Sequence, residues 1–206
     1  MIVIKRLTTE YLESPIAVPL IGLRFGWEIE STAKNQRQIA YRIIVKTNGT
    51  TVWDSGKVYS SETNGIEYSG ERLSPRKKYL WRVKVYGDFE ESSEFSDWQS
   101  FETTLSEKEW EGVSFIGAKN DELSLFRKSF NLQNKKILSA RVYACGLGSY
   151  NLFLNGKRVN GELLNPLVTR YHIRYFYNAY DITSMLNIGE NVFWRRARQR
   201  LLFYEF

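Results

Sequence analysis

The sequence predicts an all-β chain of two tandem antiparallel β-sandwiches, and three observations carry that prediction. Apolar residues alternate at period two in short runs, turn-forming residues punctuate the runs, and no stretch has a convincing helical period. Composition agrees. Apolar residues make up 43% of the 206 and aromatics 15%, with 6 Trp, 13 Tyr and 12 Phe, and such side chains pack well on a pleated surface. The length suits one large domain or two small ones, since domains usually run ~100–150 residues.

In the first half, Leu23, Phe25, Trp27 and Ile29 place four apolar side chains on one face of a strand. Ile39, Tyr41, Ile43 and Val45 repeat the pattern, and so do Tyr79, Trp81, Val83 and Val85. Thr47-Asn48-Gly49, Ser55-Gly56 and Ser69-Gly70 supply turns between them. Residues 1–104 are therefore assigned to the first sandwich. In LSPRKKYLWRVKV, Leu73 to Val85, a Leu-x-Pro turn precedes Tyr79 and an alternating strand. That arrangement resembles the tyrosine corner of fibronectin type III domains, where the hydroxyl ties the strand to the preceding connection. Trp27 fits the core tryptophan of that fold. The aromatics read as core, with a sugar-stacking platform from Trp53, Trp81 or Trp98 as the alternative.

The segment TTLSEKEWEG, Thr103 to Gly112, breaks the alternation and carries charge, so the boundary is placed there, with residues 105–117 as linker. Residues 118–206 are expected to form a jelly-roll or galactose-binding-like sandwich. Its strands are read at Leu123–Leu132, Leu138–Ala144, Tyr150–Gly156 and Tyr171–Tyr180. Asn155-Gly156 signals a two-residue hairpin, because both positions tolerate positive φ. Asp181 or Thr183 is expected to cap a short helical turn that Gly189 ends.

Several kinds of chemistry are disfavoured. A single cysteine, Cys145, excludes an internal disulfide framework and a thiolate cluster, and reads as a small buried apolar residue. The one histidine, His172, has no second histidine to share a zinc ion and reads as a packing or hydrogen-bonding residue. No Gly-x-Ser-x-Gly elbow occurs. Gly146-Leu147-Gly148 lies between two strands with no helix after it to receive a phosphate, so it reads as a tight turn. Asp88, Glu90, Glu91, Glu94 and Asp97 form the densest carboxylate cluster, in the setting of a solvated loop. The start, MIVIKRLTTEYLESP, has a four-residue apolar opening and then charges, unlike a secretory signal. No apolar run approaches the ~18 residues of a membrane span, so the chain as it stands reads as cytoplasmic, with no membrane partner.

The net charge of +6 is unevenly placed, with +3 in the last fourteen residues and 25 basic against 22 acidic side chains in the other 192. A phosphate-binding surface needs clustered cations, so no nucleic-acid partner is expected. A basic interaction module acting through residues 193–206 would bind polyanions in a salt-sensitive way.

Taken in order, a series of segments resembles the fibronectin-like module and the small β-sandwich near the N-terminus of bacterial α-L-rhamnosidases. They are WDSGKV (Trp53 to Val58), YLWRVKVYG (Tyr79 to Gly87), FRKSF (Phe126 to Phe130), GLGSYNLFLNGKRV (Gly146 to Val159) and LNPLVTRYHIRYFYNAYDIT (Leu164 to Thr183). YDITSMLNIGENV, Tyr180 to Val192, extends the series. Phe115-Ile116-Gly117 stands where that family typically has Trp-Ile-Gly. The resemblance implies the non-catalytic front portion of a glycoside hydrolase acting on terminal rhamnose. It would brace an (α/α)-type barrel that carries the two catalytic carboxyl groups further along. It implies no catalytic residue in this chain; a free-standing carbohydrate-binding or adhesion module is the alternative.

In some rhamnosidases a domain resembling the second sandwich holds rhamnose beside a calcium ion. The positions this implies here are Asn120, Asp121, Asn165 and Pro166 for a rhamnose-containing glycan. Asn120 and Asp121 would also hold the calcium, with backbone carbonyls supplying the rest. Gly161 stands where a further acidic or amide side chain is wanted.

The resemblance stops after Val192. The family continues with an apolar strand and a Gly-Asn-Gly-aromatic turn, whereas FWRRARQRLLFYEF, Phe193 to Phe206, sets arginines into the expected strand. A reading-frame shift in the source gene and a divergent basic end are both open at this point. Either leaves the second sandwich expected to be incomplete, with an unpaired strand edge through which copies self-associate.

Overall fold

The computed structural model describes residues 2–88, 92–117, 124–197 and 201–205, with positions 124, 196, 197 and 201–205 as backbone only. The chain divides into two compact units, Met1–Glu109 and Trp110–Phe206. Among the described residues no helix is long and apolar enough to cross a membrane.

Unit 1 contains β1 (Ile2–Thr9), β2 (Arg24–Ser31), β3 (Gln38–Thr47), β4 (Thr50–Asp54), β5 (Val58–Tyr59), β6 (Ile66–Glu67), β7 (Lys78–Gly87) and β8 (Gln99–Glu102). One sheet has the order β1-β2-β6; the other runs β4-β3-β7-β8, with β5 also paired to β3. The hairpin from β3 to β4 turns at Asn48 and Gly49, both at positive φ, the conformation that Asn-Gly adopts at least cost. Alternation becomes burial along β7, where Tyr79, Trp81, Val83 and Val85 all point into the core. Phe25 of β2 lies at its centre, 4.4 Å from the ring of Trp81 and 5.9 Å from Phe101. Full burial of one such side chain stabilises by about 1.5–3 kcal/mol.

Two polar details fix this core. The hydroxyl of Tyr79 accepts the backbone N–H of Ser74 at 2.9 Å, so the expected tyrosine corner is present. Trp27 is buried and its indole N–H donates to the Gln38 side chain at 2.9 Å. Ile39 departs from its expected inward position and is exposed. The register against β7 shifts between Gln38 and Ala40, and this irregularity turns Gln38 and Ala40 inward instead.

Unit 2 contains β9 (Phe115–Ile116), β10 (Ser124–Leu132), β11 (Arg141–Gly146), β12 (Tyr150–Leu154), β13 (Lys157–Arg158), β14 (Tyr177–Asp181), β15 (Gly189–Ala197) and β16 (Leu201–Glu205). Two four-stranded sheets, β10-β15-β12-β13 and β14-β11-β16-β9, enclose a core that includes Val142, Ala144, Leu152, Leu154 and Phe193. Asn155 and Gly156 join β12 to β13 with φ of 51° and 80°, as a two-residue hairpin turn requires.

Three expectations for this unit are corrected. The strand read from Tyr171 begins only at Tyr177, because Arg170 to Arg174 form a turn held by two bonds to the Arg170 carbonyl. The helical turn is a 3₁₀ turn, Thr183–Met185, with Ile182 at its N-cap; Gly189, at φ 89°, starts β15 rather than ending the turn. The third concerns the tail. β15 runs past Val192 to Ala197, and β16 pairs with β11 and β9.

The arginine that interrupts the expected pattern keeps the alternation. Phe193 and Arg195 are both buried, while Trp194 on the other face stacks on Phe153 at 3.9 Å. The guanidinium of Arg195 lies 4.5 Å from the centre of the Phe126 ring, and its burial pulls its pKa down to about 10. The tail from Phe193 therefore extends β15 inside one sheet and supplies β16 inside the other.

Candidate functional site

The residues singled out for sugar or calcium fall in two places. Asn120 and Asp121 lie outside the described residues. Asn165 and Pro166 lie in the loop between β13 and β14, where a polar network ties that loop to the sheets. The Asn165 carbonyl accepts the backbone N–H of Tyr150 at 3.1 Å. Its side-chain N–H donates to Glu162 at 3.1 Å and to the Tyr180 hydroxyl at 3.3 Å. Pro166 is buried. Asn165 thus holds its own loop in place, which is a structural duty whatever else it does.

Beneath it the Tyr150 hydroxyl donates to the Ala144 carbonyl at 3.3 Å and lies 3.4 Å from the Tyr180 hydroxyl. Burial pushes both phenols above their ordinary range. Asn160, fully buried, accepts the N–H of Leu152 at 2.9 Å and donates to the Tyr150 carbonyl at 3.3 Å. Sequence reasoning missed this network. The available signal was Tyr150 itself, which shares a strand face with Leu152 and Leu154 and whose buried hydroxyl must find a partner.

The Gly-Glu-Asn and Asn-Gly motifs meet in a second network. Asn191 is fully buried and accepts from the N–H of Asn187 and from the side chain of Asn155, each at 2.8 Å. It donates to the carbonyls of Asn187 at 2.7 Å and Gly189 at 3.0 Å. Asn155 donates further to the Met185 carbonyl and accepts from the Val192 N–H, both at 2.9 Å. Asp181 accepts the Thr183 N–H at 2.9 Å and pairs with Arg141 at 2.9 Å. These motif residues join the hairpin to the entry of β15. Their chemistry is that of a clasp.

Three cavities bear on ligand binding. In unit 1 a space of about 390 Å³ is bordered by Arg6, Tyr11, Trp27, Glu28 and Asn64. In unit 2 an apolar space of about 310 Å³ reaches Phe126, Leu152, Phe193 and Arg195. A second one, of about 320 Å³, is an aromatic cleft lined by Trp110, Phe115, Cys145, Tyr175 and Tyr177. In that cleft the Trp110 and Tyr177 rings are 5.0 Å apart and those of Phe115 and Tyr175 are 5.4 Å apart. Cys145 is buried, and desolvation pushes its thiol up to about 11, so it is a protonated wall residue and not a nucleophile at neutral pH.

Glycoside hydrolysis needs two carboxyl groups facing one bond, one of them with a raised pKa. None of these three cavities is lined by two carboxylates. Asp54, on an edge strand, is shifted the opposite way, because the guanidinium of Arg42 donates to it at 2.9 Å and favours its charged form. Of the acidic loop, Glu90 and Glu91 lie outside the described residues, while Asp88 accepts the Arg37 N–H at 3.2 Å. Among the described residues no group of three or more His, Cys, Asp or Glu side chains is placed to hold a metal ion. His172 is exposed on its turn, so of the two roles read from the sequence, packing or hydrogen bonding, the structure does not give it the first.

The alternative stacking residues of unit 1 are occupied by protein. Trp81 is fully buried. Trp53 packs against Tyr68, 5.1 Å away, and Phe25. The Trp98 ring carries Lys46 at 3.7 Å and Arg82 at 4.5 Å.

This architecture defines a tandem all-β protein, an immunoglobulin-like sandwich followed by a second antiparallel one. Comparison with known proteins carries the assignment further. Residues 4–107 match the family model described as Rha78A-like, N-terminal immunoglobulin domain, and residues 135–194 match the α-L-rhamnosidase N-terminal domain. An α-L-rhamnosidase of Formosa agariphila is 33% identical over 211 aligned positions, covering 86% of this chain and 22% of the relative. One from Alteromonas sp. (strain LOR) is 31% identical, covering 82% of this chain and 20% of the relative.

Among solved structures, the α-L-rhamnosidase of Dictyoglumus thermophilum superposes with a TM-score of 0.86 at 32% identity, over 94% of this chain and 25% of that one. The Aspergillus terreus enzyme shares the fold at 24% identity, with a TM-score of 0.78 over 96% of this chain and 24% of that one. The chain belongs to the α-L-rhamnosidase family and corresponds to its N-terminal region. It spans about a fifth of the length of the curated relatives it matches.

Proposed function

We propose that this chain is the non-catalytic N-terminal portion of an α-L-rhamnosidase, and that its two units brace the part of the enzyme that cleaves terminal rhamnose from glycans. One observation carries the reading: the likeness runs through both units yet reaches only 25% of the Dictyoglumus thermophilum chain. The lack of a carboxylate pair around the three cavities supports it. Within this reading unit 1 is a fibronectin type III-like variant of the immunoglobulin sandwich, supported by its pairing of a three-stranded with a five-stranded antiparallel sheet and by the Tyr79 corner. The test is direct. The purified chain is expected to release no p-nitrophenol from p-nitrophenyl α-L-rhamnoside; release above the buffer blank refutes the proposal.

A second reading, carbohydrate binding by unit 2, is favoured by the aromatic cleft, since half-exposed rings at Trp110, Phe115 and Tyr177 offer apolar faces to a pyranose. Calorimetric titration with L-rhamnose, with calcium and with chelator, tests it. Binding lost in Trp110→Ala places the sugar in the cleft. Binding lost only with chelator, and untouched by that change, points to Asn120, Asp121, Asn165 and Pro166 instead.

A further inference from the structure

The loop between β13 and β14 carries a surface that the folded unit does not use. Leu163, Leu164, Leu167 and Val168 are 81%, 79%, 71% and 81% exposed, followed by Ile173 at 64% and Phe176 at 42%. Contiguous exposed apolar surface of this kind is rare on a protein that acts alone and marks a contact site. Aliphatic side chains dominate its first part, which suits a protein surface better than a sugar ring.

The loop is also held in shape before any partner arrives. Asn165 ties it to Tyr150 and Tyr180, and Pro166 is buried beneath it. The Tyr171 hydroxyl accepts the Gly148 N–H at 3.1 Å, and Thr169 donates to the Arg174 carbonyl at 2.8 Å. A preorganised surface loses little entropy on docking.

We infer that the loop Gly161–Phe176 is the seat on which unit 2 packs against the remainder of a rhamnosidase chain. The occupant follows from the comparison of lengths. The homologous region of the Dictyoglumus thermophilum enzyme, superposed over 94% of this chain, accounts for 25% of a polypeptide whose other three quarters are available to cover the loop. Exposed Arg170 and Arg174 at its rim select an acidic border on the partner. This inference rests on the bracing role proposed above.

The experiment uses the full 206-residue chain and the Dictyoglumus thermophilum rhamnosidase polypeptide lacking its matched quarter, checked for folding by circular dichroism. Calorimetric binding is expected, and Leu164→Ser with Leu167→Ser should weaken it by about tenfold or more. Tyr59→Ser, an exposed apolar change in unit 1, should leave it unchanged. Binding by the wild-type chain that the double variant retains in full overturns the seat and leaves the bracing role standing. A folded remainder that binds nothing overturns both. Dimerisation of the chain alone, abolished by the double variant, assigns the loop to a second copy and also overturns the inference. If the remainder does not fold, a chimera with this chain in place of the matched quarter decides. Amide exchange across residues 163–176 should slow about tenfold or more relative to the chain alone, and unchanged exchange refutes the seat.

Discussion

Unit 1 and unit 2 share a fold class yet allocate their apolar side chains differently. In unit 1 the Phe25 ring alone meets Trp53, Tyr68, Trp81 and Phe101 at 4.4 to 6.4 Å, a continuous aromatic interior. In unit 2 several ring contacts lie at or near the surface, with Phe153 on Trp194, Tyr171 on Tyr175 and Trp110 on Tyr177. Among the described residues, six large hydrophobic side chains are exposed in unit 1 and eleven in unit 2. Buried amides do part of the work in unit 2, where Asn160 and Asn191 are fully enclosed. Unit 1 encloses most of its apolar side chains, whereas unit 2 leaves more of them in solvent.

The largest expected effect separates the two units. Trp81→Ala removes a fully buried ring and should cost about 3–5 kcal/mol, lowering the urea midpoint of unit 1 while that of unit 2 stays in place. A single transition that shifts as a whole would show that the units unfold together. Next, Asn191→Ala strips four hydrogen bonds from the clasp and leaves buried partners unsatisfied, at about 2–3 kcal/mol confined to unit 2. Tyr79→Phe removes only the bond to Ser74 and should lower unit 1 stability by about 1 kcal/mol; no change would mean water replaces the hydroxyl.

The smallest effect concerns pH. Asp54 is held below its ordinary pKa by its bond to Arg42, so its contribution is present above the usual carboxylate range and lost as pH falls through the depressed value. The pair is well solvated, so the acid limb of the melting curve should differ only slightly between wild type and Asp54→Asn. A difference that instead grows above neutrality would reverse the assignment.

Much of the fold was legible where local geometry leaves little choice. Asn155-Gly156 can turn a hairpin because both residues accept positive φ, and they do. Tyr79, Trp81, Val83 and Val85 alternate because one face of β7 is the core. Errors arose where a residue type gave the wrong cue about its surroundings. Arg195 reads as a break in a strand, yet a buried guanidinium can sit over an aromatic ring inside a sandwich. The aromatic run from Tyr171 to Phe176 reads as strand, but Tyr171 to Arg174 follow turn hydrogen bonding, and Ile173, Tyr175 and Phe176 are exposed rather than buried on one strand face. The site was less legible than the fold. A resemblance names the motif residues without their duties, and Asn155, Asn165, Asp181 and Asn191 are largely engaged in holding backbone together.

The lacing at the far end of unit 1 bears on the order of events during synthesis. The Val18 N–H bonds to the Glu102 carbonyl, that of Glu102 to Pro15 and that of Thr104 to Val18. The segment from Pro15 to Val18 therefore cannot settle until β8 and Thr104 have left the ribosome, whereas β1 has its partner as soon as β2 emerges. At ~5–20 residues per second, unit 1 would have several seconds to close before β15 emerges to meet Asn155. A nascent chain paused within β14 would carry a closed unit 1 and a unit 2 still without β15 and β16, and a protease added at that moment would tell them apart.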